Sequence, residues 1–202
     1  MINEFDNFQR SVFAKLPAAR PYPAEQTPEN NLSQKQKKQS AGFMRVNHTG
    51  EICAQALYRG QAILARNAKI KATLEQCCLE ESDHLAWCQQ RLDELHSHRS
   101  YLNVFWYWQS FFIGLIAAAC GDQWSLGFVE ETEKQVERHL DSHLEKLTSQ
   151  DEKSQSIIEQ MKIDEIKHGK TAHAAGANEL PDFIKQVMAL QSKVMTQLTY
   201  YL

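Results

Sequence analysis

Four glutamates stand in this sequence where a buried leucine would be expected. Each belongs to a segment whose apolar residues recur at three- and four-residue steps, the spacing of one helix face. The first segment, about Ser33 to Lys69, carries Met44, Glu51, Ala54, Tyr58 and Ala62. The second, about Lys71 to His96, carries Leu74, Cys78, Glu81, Leu85, Cys88, Leu92 and Leu95. The third, about Trp124 to Leu147, has Leu126, Val129, Glu133, Val136, Leu140, Leu144 and Leu147, and the fourth, from about Asp151 past Gly169, has Ile158, Met161, Glu165, His168 and Ala172. An ionised carboxylate loses its hydration when buried, and four in one core also repel one another. Only a cationic partner makes such a core tolerable.

The sequence supplies candidates for holding one. Glu81 and Glu165 are each followed by histidine three residues later, at His84 and His168. On a helix these positions share a face, so each pair converges on one object inside the bundle. The pattern is duplicated: Glu51 precedes Glu81 by 30 residues and Glu133 precedes Glu165 by 32. Two helical hairpins with equivalent ligand sets give two metal positions. A glutamate from each of two helices plus Glu-x-x-His from each of the other two is the dinuclear carboxylate site of ferritin-like bundles. Four carboxylates balance two divalent ions, and oxygen-rich ligation with two imidazoles favours iron or manganese over zinc, copper or calcium.

Proline supports the helical reading. Pro17, Pro21, Pro23 and Pro28 crowd the start, and the next is Pro181, after 152 proline-free residues. Interior proline costs a helix about 3 kcal/mol. No segment alternates as a strand does. The expected fold is all-α: a ferritin-like four-helix bundle, with residues 1–33 as an N-terminal arm containing a short helix over Glu4 to Lys15, and residues 34–202 as the domain. A final helix, about Pro181 to Tyr200, carries Phe183, Val187, Leu190, Val194 and Leu198 as ordinary packing material. Between the second and third segments, Tyr101 to Cys120 has sixteen apolar residues of twenty and no charge. Its length suffices to span a bilayer, but Asn103, Gln109 and Ser110 and the cluster Phe105, Trp106, Tyr107 and Trp108 suit a helix lying in the headgroup boundary better. A buried core helix is the alternative.

Charge and cysteine usage narrow the class. A net charge of -3 gives no sustained positive field, so binding to nucleic acid is not expected. Cys53, Cys77, Cys78, Cys88 and Cys120 form no C-x-x-C pair, and an odd count argues against a disulfide framework, which fits a reducing, cytoplasmic setting. The charged first twenty residues resemble neither a secretory signal nor a transit peptide. Cys77, Cys78, Cys88 and Cys120, on or beside apolar stripes, read as buried, inert thiols. Glu80 and Asp164, each just before a ligand-type glutamate, either accept the second N–H of the ligand histidines across a helix interface or face solvent. His48 and His139 either join the site network or pack in the core, and His96, His98, His143 and His173 read as surface or helix-end residues. Tyr58 either contacts a substrate or fills the core.

The stretch Arg45-Val46-Asn47-His48-Thr49-Gly50-Glu51, with Ala54-Gln55-Ala56-Leu57-Tyr58 and Gly60-Gln61, resembles the first ligand helix of the 3-demethoxyubiquinol 3-hydroxylases. Glu80-Glu81-Ser82-Asp83-His84-Leu85, Gly121 to Val129 with Glu131-Thr132-Glu133, and Asp164-Glu165 with His168 continue the resemblance over most of the chain. It implies a membrane-associated di-iron monooxygenase of ubiquinone biosynthesis, which hydroxylates the ring of a polyprenyl demethoxyubiquinol with O2 and an external reductant. Glu51, Glu81 and His84 would serve one iron ion and Glu133, Glu165 and His168 the other, with Glu81 and Glu165 able to bridge; these six are the catalytic set it implies. The expected setting is peripheral, at the cytoplasmic face of the cell membrane. A homo-oligomer and protein partners of ubiquinone biosynthesis stay open, as do the prenyl length and the electron donor. An iron-storage or ferroxidase bundle and a manganese catalase are rivals by chemistry; a purely structural bundle leaves four core glutamates unexplained.

Overall fold

The computed structural model describes residues 3–15 and 17–202. Seven helices follow one another, α1 (Glu4–Phe13), α2 (Gln34–Leu64), α3 (Ala68–Glu94), α4 (Asn103–Ala119), α5 (Asp122–Lys146), α6 (Glu152–Ala174) and α7 (Asp182–Tyr201), with no strand among the described residues. The helical segments read from periodicity are α2, α3, α5 and α6. They form two hairpins, α2 with α3 and α5 with α6, which cross through α3–α6 and α2–α5 contacts.

Local chemistry sets the helix ends. Ser33 caps α2 in a reciprocal capping box with Gln36, and Asp151 accepts from the Ser154 amide at the start of α6. The α2–α3 turn is held by the Asp122 carboxylate, which accepts from the Arg66 and Asn67 amides at 3.0 and 2.8 Å. Gly121 reverses the chain between α4 and α5 at φ 116°, where a side chain would be strained. Arg91, fully buried, donates to Ser154 Oγ, Asp151, Glu94 and Glu29, and so ties α3 to α6 and to the segment preceding α2.

The α4 helix lies along α2, not apart from the bundle. Its inner face, with Trp106, Tyr107, Ser110, Phe111, Gly114, Ala117 and Ala118, is buried. The approach is close enough that a Cβ on Gly114 would meet the Leu57 carbonyl oxygen at 2.2 Å, and one on Gly60 the Phe111 carbonyl oxygen at 2.3 Å. Its outer face leaves Val104, Phe105, Phe112 and Ile116 exposed. The segment is therefore half core and half surface. No helix among the described residues is long and apolar enough to cross a membrane.

The final helix corrects an expectation. Phe183, Val187, Leu190, Val194 and Leu198 do not pack; all five are exposed. The α7 helix turns a different face inward, with Met188, Gln191, Ser192, Met195 and Thr196 lining a cavity against α2 and α5 and Thr199 buried. Periodicity identifies an apolar stripe but not which neighbour, if any, receives it. The α2–α4 contact has a direct test: Gly114→Ala forces a methyl group against an immovable backbone carbonyl and is expected to cost about 1–3 kcal/mol in urea unfolding.

Candidate metal centre

Glu51 on α2, Glu81 and His84 on α3, Glu133 on α5, and Glu165 and His168 on α6 converge between the four long helices, none more than 3% exposed. One ligand atom from each of Glu51, Glu81, His84 and Glu165 lies within 4.8 Å of the others, and the same holds for Glu81, Glu133, Glu165 and His168. Glu81 and Glu165 belong to both groups. The duplicated hairpins thus bring their ligand-type residues to one place, with a carboxylate from each Glu-x-x-His helix between the two positions.

The histidines are aimed from outside. His84 Nε2 lies 2.9 Å from Asp164 Oδ2 on α6, and His168 Nε2 lies 2.9 Å from Glu80 Oε2 on α3. Glu80 and Asp164 therefore take the outer N–H of the histidine on the facing helix, which leaves each Nδ1 lone pair directed inward. His84 Nδ1 sits 2.9 Å from Glu81 Oε2 and 3.2 Å from Glu165 Oε1, and His168 Nδ1 sits 3.2 Å from Glu81 Oε1. Yet both Nδ1 atoms, both Glu81 oxygens and Glu133 Oε2 lack hydrogen-bond partners. With the outer N–H committed, these inward atoms face one another as buried acceptors unless a proton or a cation lies between them, which is costly. Divalent cations resolve that arrangement, and the donor set fits a pair of them.

The electrostatics of the protein alone lead to the same place. Burial, with the neighbouring Glu81 charge, pushes Glu51 well above the usual carboxylate range, and burial with Glu165 does the same to Glu133. Burial opposes charge on His84 and His168, but the carboxylates around them outweigh it and hold both imidazoles far above their ordinary value. Protons are held where positive charge is required. Metal ions would displace them.

Tyr58, wholly buried, donates its phenolic hydrogen to Glu133 Oε1, so this tyrosine orients a candidate ligand. An apolar cavity bounded by α2, α4, α5 and α7 reaches Glu51; its wall includes Val46, Leu57, Ile113, Phe128, Met188 and Met195. His139 also lines it. His48 is buried, its basicity pushed down to about 3 by desolvation, and neither it nor His139 belongs to the two ligand groups. His143 departs from its expected surface position: it is buried, with its ring 3.9 Å from His139 and 4.4 Å from Phe43. Cys77, Cys78 and Cys88 are buried free thiols, whereas Cys120 is exposed. Sequence pattern carries no signal for Arg20, which lies 63 residues before Asp83 and pairs with both Asp83 and Asp164.

Comparison with known proteins is consistent with this geometry. Residues 38–199 match the family described as ubiquinone biosynthesis protein COQ7. A Coxiella burnetii protein named 3-demethoxyubiquinol 3-hydroxylase is 55% identical over 192 residues, 95% of this chain and 89% of its own. Proteins of the same name from Polynucleobacter asymbioticus and Nitrosomonas eutropha are 55% identical over 200 residues and 48% identical over 201 residues. These alignments cover 98% and 100% of this chain, and 96% and 97% of the relatives.

Because Glu165 is common to both ligand groups, Glu165→Ala is expected to leave at most one tightly held divalent ion per chain. It should also remove most of the rise in melting temperature that metal gives the unsubstituted protein. Metal analysis with thermal melts checks this, and two retained ions would take Glu165 out of the ligand set.

Proposed function

This chain belongs to the COQ7 family of ubiquinone biosynthesis proteins, and from that premise we propose that it is a 3-demethoxyubiquinol 3-hydroxylase whose centre holds two iron ions. It hydroxylates the ring of a polyprenyl demethoxyubiquinol, taking O2 as co-substrate and electrons from an external reductant. The observation that carries the reading is the buried set of six ligand-type residues with unpartnered atoms facing inward, at the end of an apolar cavity.

Bound there, two iron ions supply the electrons that activate O2, chemistry that no side chain provides. The protein does the rest. Glu51, Glu81 and His84 would hold one ion and Glu133, Glu165 and His168 the other, and Glu81 and Glu165 belong to both groups. Asp164 and Glu80 keep the imidazole protons on the outer nitrogens. Tyr58 holds a proton at its phenol oxygen against Glu133, where burial and the Glu133 charge raise it well above a free phenol. The apolar cavity excludes water from the oxidising centre and suits an electron-rich ring with a hydrocarbon tail.

The substrate's residence in the bilayer accounts for the outside of the molecule. Both α4 and α7 contribute to the cavity wall, and both leave large apolar residues exposed, among them Phe105, Phe112 and Ile116 on α4 and Phe183, Val187 and Leu190 on α7. Two helices with wet apolar faces beside a cavity mouth suit peripheral docking at the cytoplasmic face of the membrane. Storage and ferroxidase bundles have no use for such a face.

Aerobic turnover of a demethoxyubiquinol analogue by iron-loaded protein should add one oxygen to the ring by mass, and Glu165→Ala should abolish it. Rapid peroxide disproportionation by the manganese form, with no ring oxygenation by the iron form, would favour a catalase instead. A Phe105→Glu, Ile116→Glu double variant is expected to stop floating with liposomes and to lose turnover of a long-tailed substrate. It should keep turnover of a short-tailed, water-soluble analogue; equal loss on both substrates would assign α4 to the fold and not to docking.

A further inference from the structure

The two halves of the centre are alike in ligands but not in what stands behind them. Asp164, which accepts from His84, is gripped by Arg20 from the segment between α1 and α2: Arg20 Nη1 lies 2.8 Å from the same Asp164 oxygen. The Arg20 Nε also lies 2.7 Å from Asp83, whose other oxygen accepts from the Ala19 amide at 2.6 Å. Its guanidinium stacks 4.7 Å above the Trp87 ring, and that ring stands 5.4 Å from the His84 imidazole. Arg20 therefore bears on His84 along two routes, one through its carboxylate and one across an aromatic face. Both aspartates are buried, at 5% and 6% exposure, so without the guanidinium they would be left in like-charge proximity with little solvent to screen them.

The other half has no such clamp. Glu80, which accepts from His168, is 21% exposed and, among the described residues, is met otherwise by Gln76 at 3.0 Å and by the exposed Lys167 at 3.4 Å. An exposed lysine at that distance is mobile and screened, and fixes little. A planar guanidinium between two buried carboxylates fixes both. Arg20 lies outside the segment 38–199 that matches the family description, so this clamp is built by chain that precedes the matched bundle.

We propose that Arg20 is a positioning residue for the metal position served by Glu51 and His84, and that it makes this position the tighter of the two. The inference rests on the dinuclear reading above. An imidazole whose outer partner is clamped spends more of its time aimed at the metal, so the entropic loss on binding is smaller there.

Anaerobic titration of the metal-free protein with Co(II), followed by visible absorption, separates this inference from the reading it rests on. The unsubstituted protein should take up two ions in two resolved steps. In Arg20→Gln the tighter step should weaken by about tenfold or more, with a changed ligand-field spectrum, while the weaker step stays as it was. Arg20→Lys, which keeps the charge but cannot bridge both aspartates, should fall between them and serves as the deciding variant if Arg20→Gln does not fold. Lys15→Ala, which removes only the exposed pair with Asp93, should leave both steps unchanged and so controls for loosening of the N-terminal segment as a whole. Two steps and a spectrum in the Arg20 variants identical to the unsubstituted protein would overturn the clamp while leaving the dinuclear centre intact. Failure of the unsubstituted protein to bind any cobalt would overturn both.

Discussion

Four carboxylates inside a helical bundle repel one another, and the arrangement of this protein follows from how that repulsion is met. The long helices are held at a separation that lets Glu51, Glu81, Glu133 and Glu165 reach a common space while leaving both Glu81 oxygens and Glu133 Oε2 without hydrogen-bond partners. An ordinary hydrophobic seam would close that space. Here the seam is interrupted at the level of the centre, and apolar packing resumes on both sides of it: Met44, Trp87, Leu92, Leu140 and Ile158 in one cluster, Leu57, Leu74, Leu126 and Val129 in another. The core is thus split by this polar cluster, and any cation held there would count directly toward the stability of the bundle.

Part of the wall of the cavity that reaches Glu51 comes from α4. By packing backbone to backbone against α2 through Gly60 and Gly114, this helix sits low on the bundle, so that its Ser110 and Ile113 reach the cavity wall while Phe105, Phe112 and Ile116 face outward. The same element walls an apolar cavity on one side and presents an apolar face on the other. The α7 helix does likewise on the other side, with Met188 and Met195 inward and Phe183, Val187 and Leu190 outward. Cavity wall and exposed apolar face are therefore two sides of the same pair of helices.

The pseudo-twofold duplication of the ligands does not extend to their supports. Crossed pairing of His84 with Asp164 and of His168 with Glu80 ties each hairpin to the other through the histidines' outer nitrogens. Only one of these pairs is enclosed, by Arg20 and Trp87. Equivalent ligand-type residues with unequal surroundings would let two metal positions of similar chemistry differ in affinity.

Much of this was legible in the residues alone. Helical periodicity, a long proline-free run and the doubled Glu-x-x-His pattern specify four helices, their order and the six ligand-type residues, because a buried acid has few physical excuses. Family resemblance supplied the chemistry that spacing could not. The fate of an apolar stripe was not legible: the stripe of α7 has the periodicity of a core helix and lies exposed, since hydrophobicity records a preference for leaving water and not the identity of the neighbour that receives it. His143 was missed for the converse reason, its burial arising from Phe43 on a helix distant in sequence. The partnership of Tyr58 with Glu133 and that of Arg20 with Asp83 and Asp164 likewise join residues far apart along the chain. Sequence by itself determined which acidic and imidazole side chains share a buried helix face, because that pattern is local; the fold decided which other side chains stand behind them, because such contacts exist only once the chain has closed on itself.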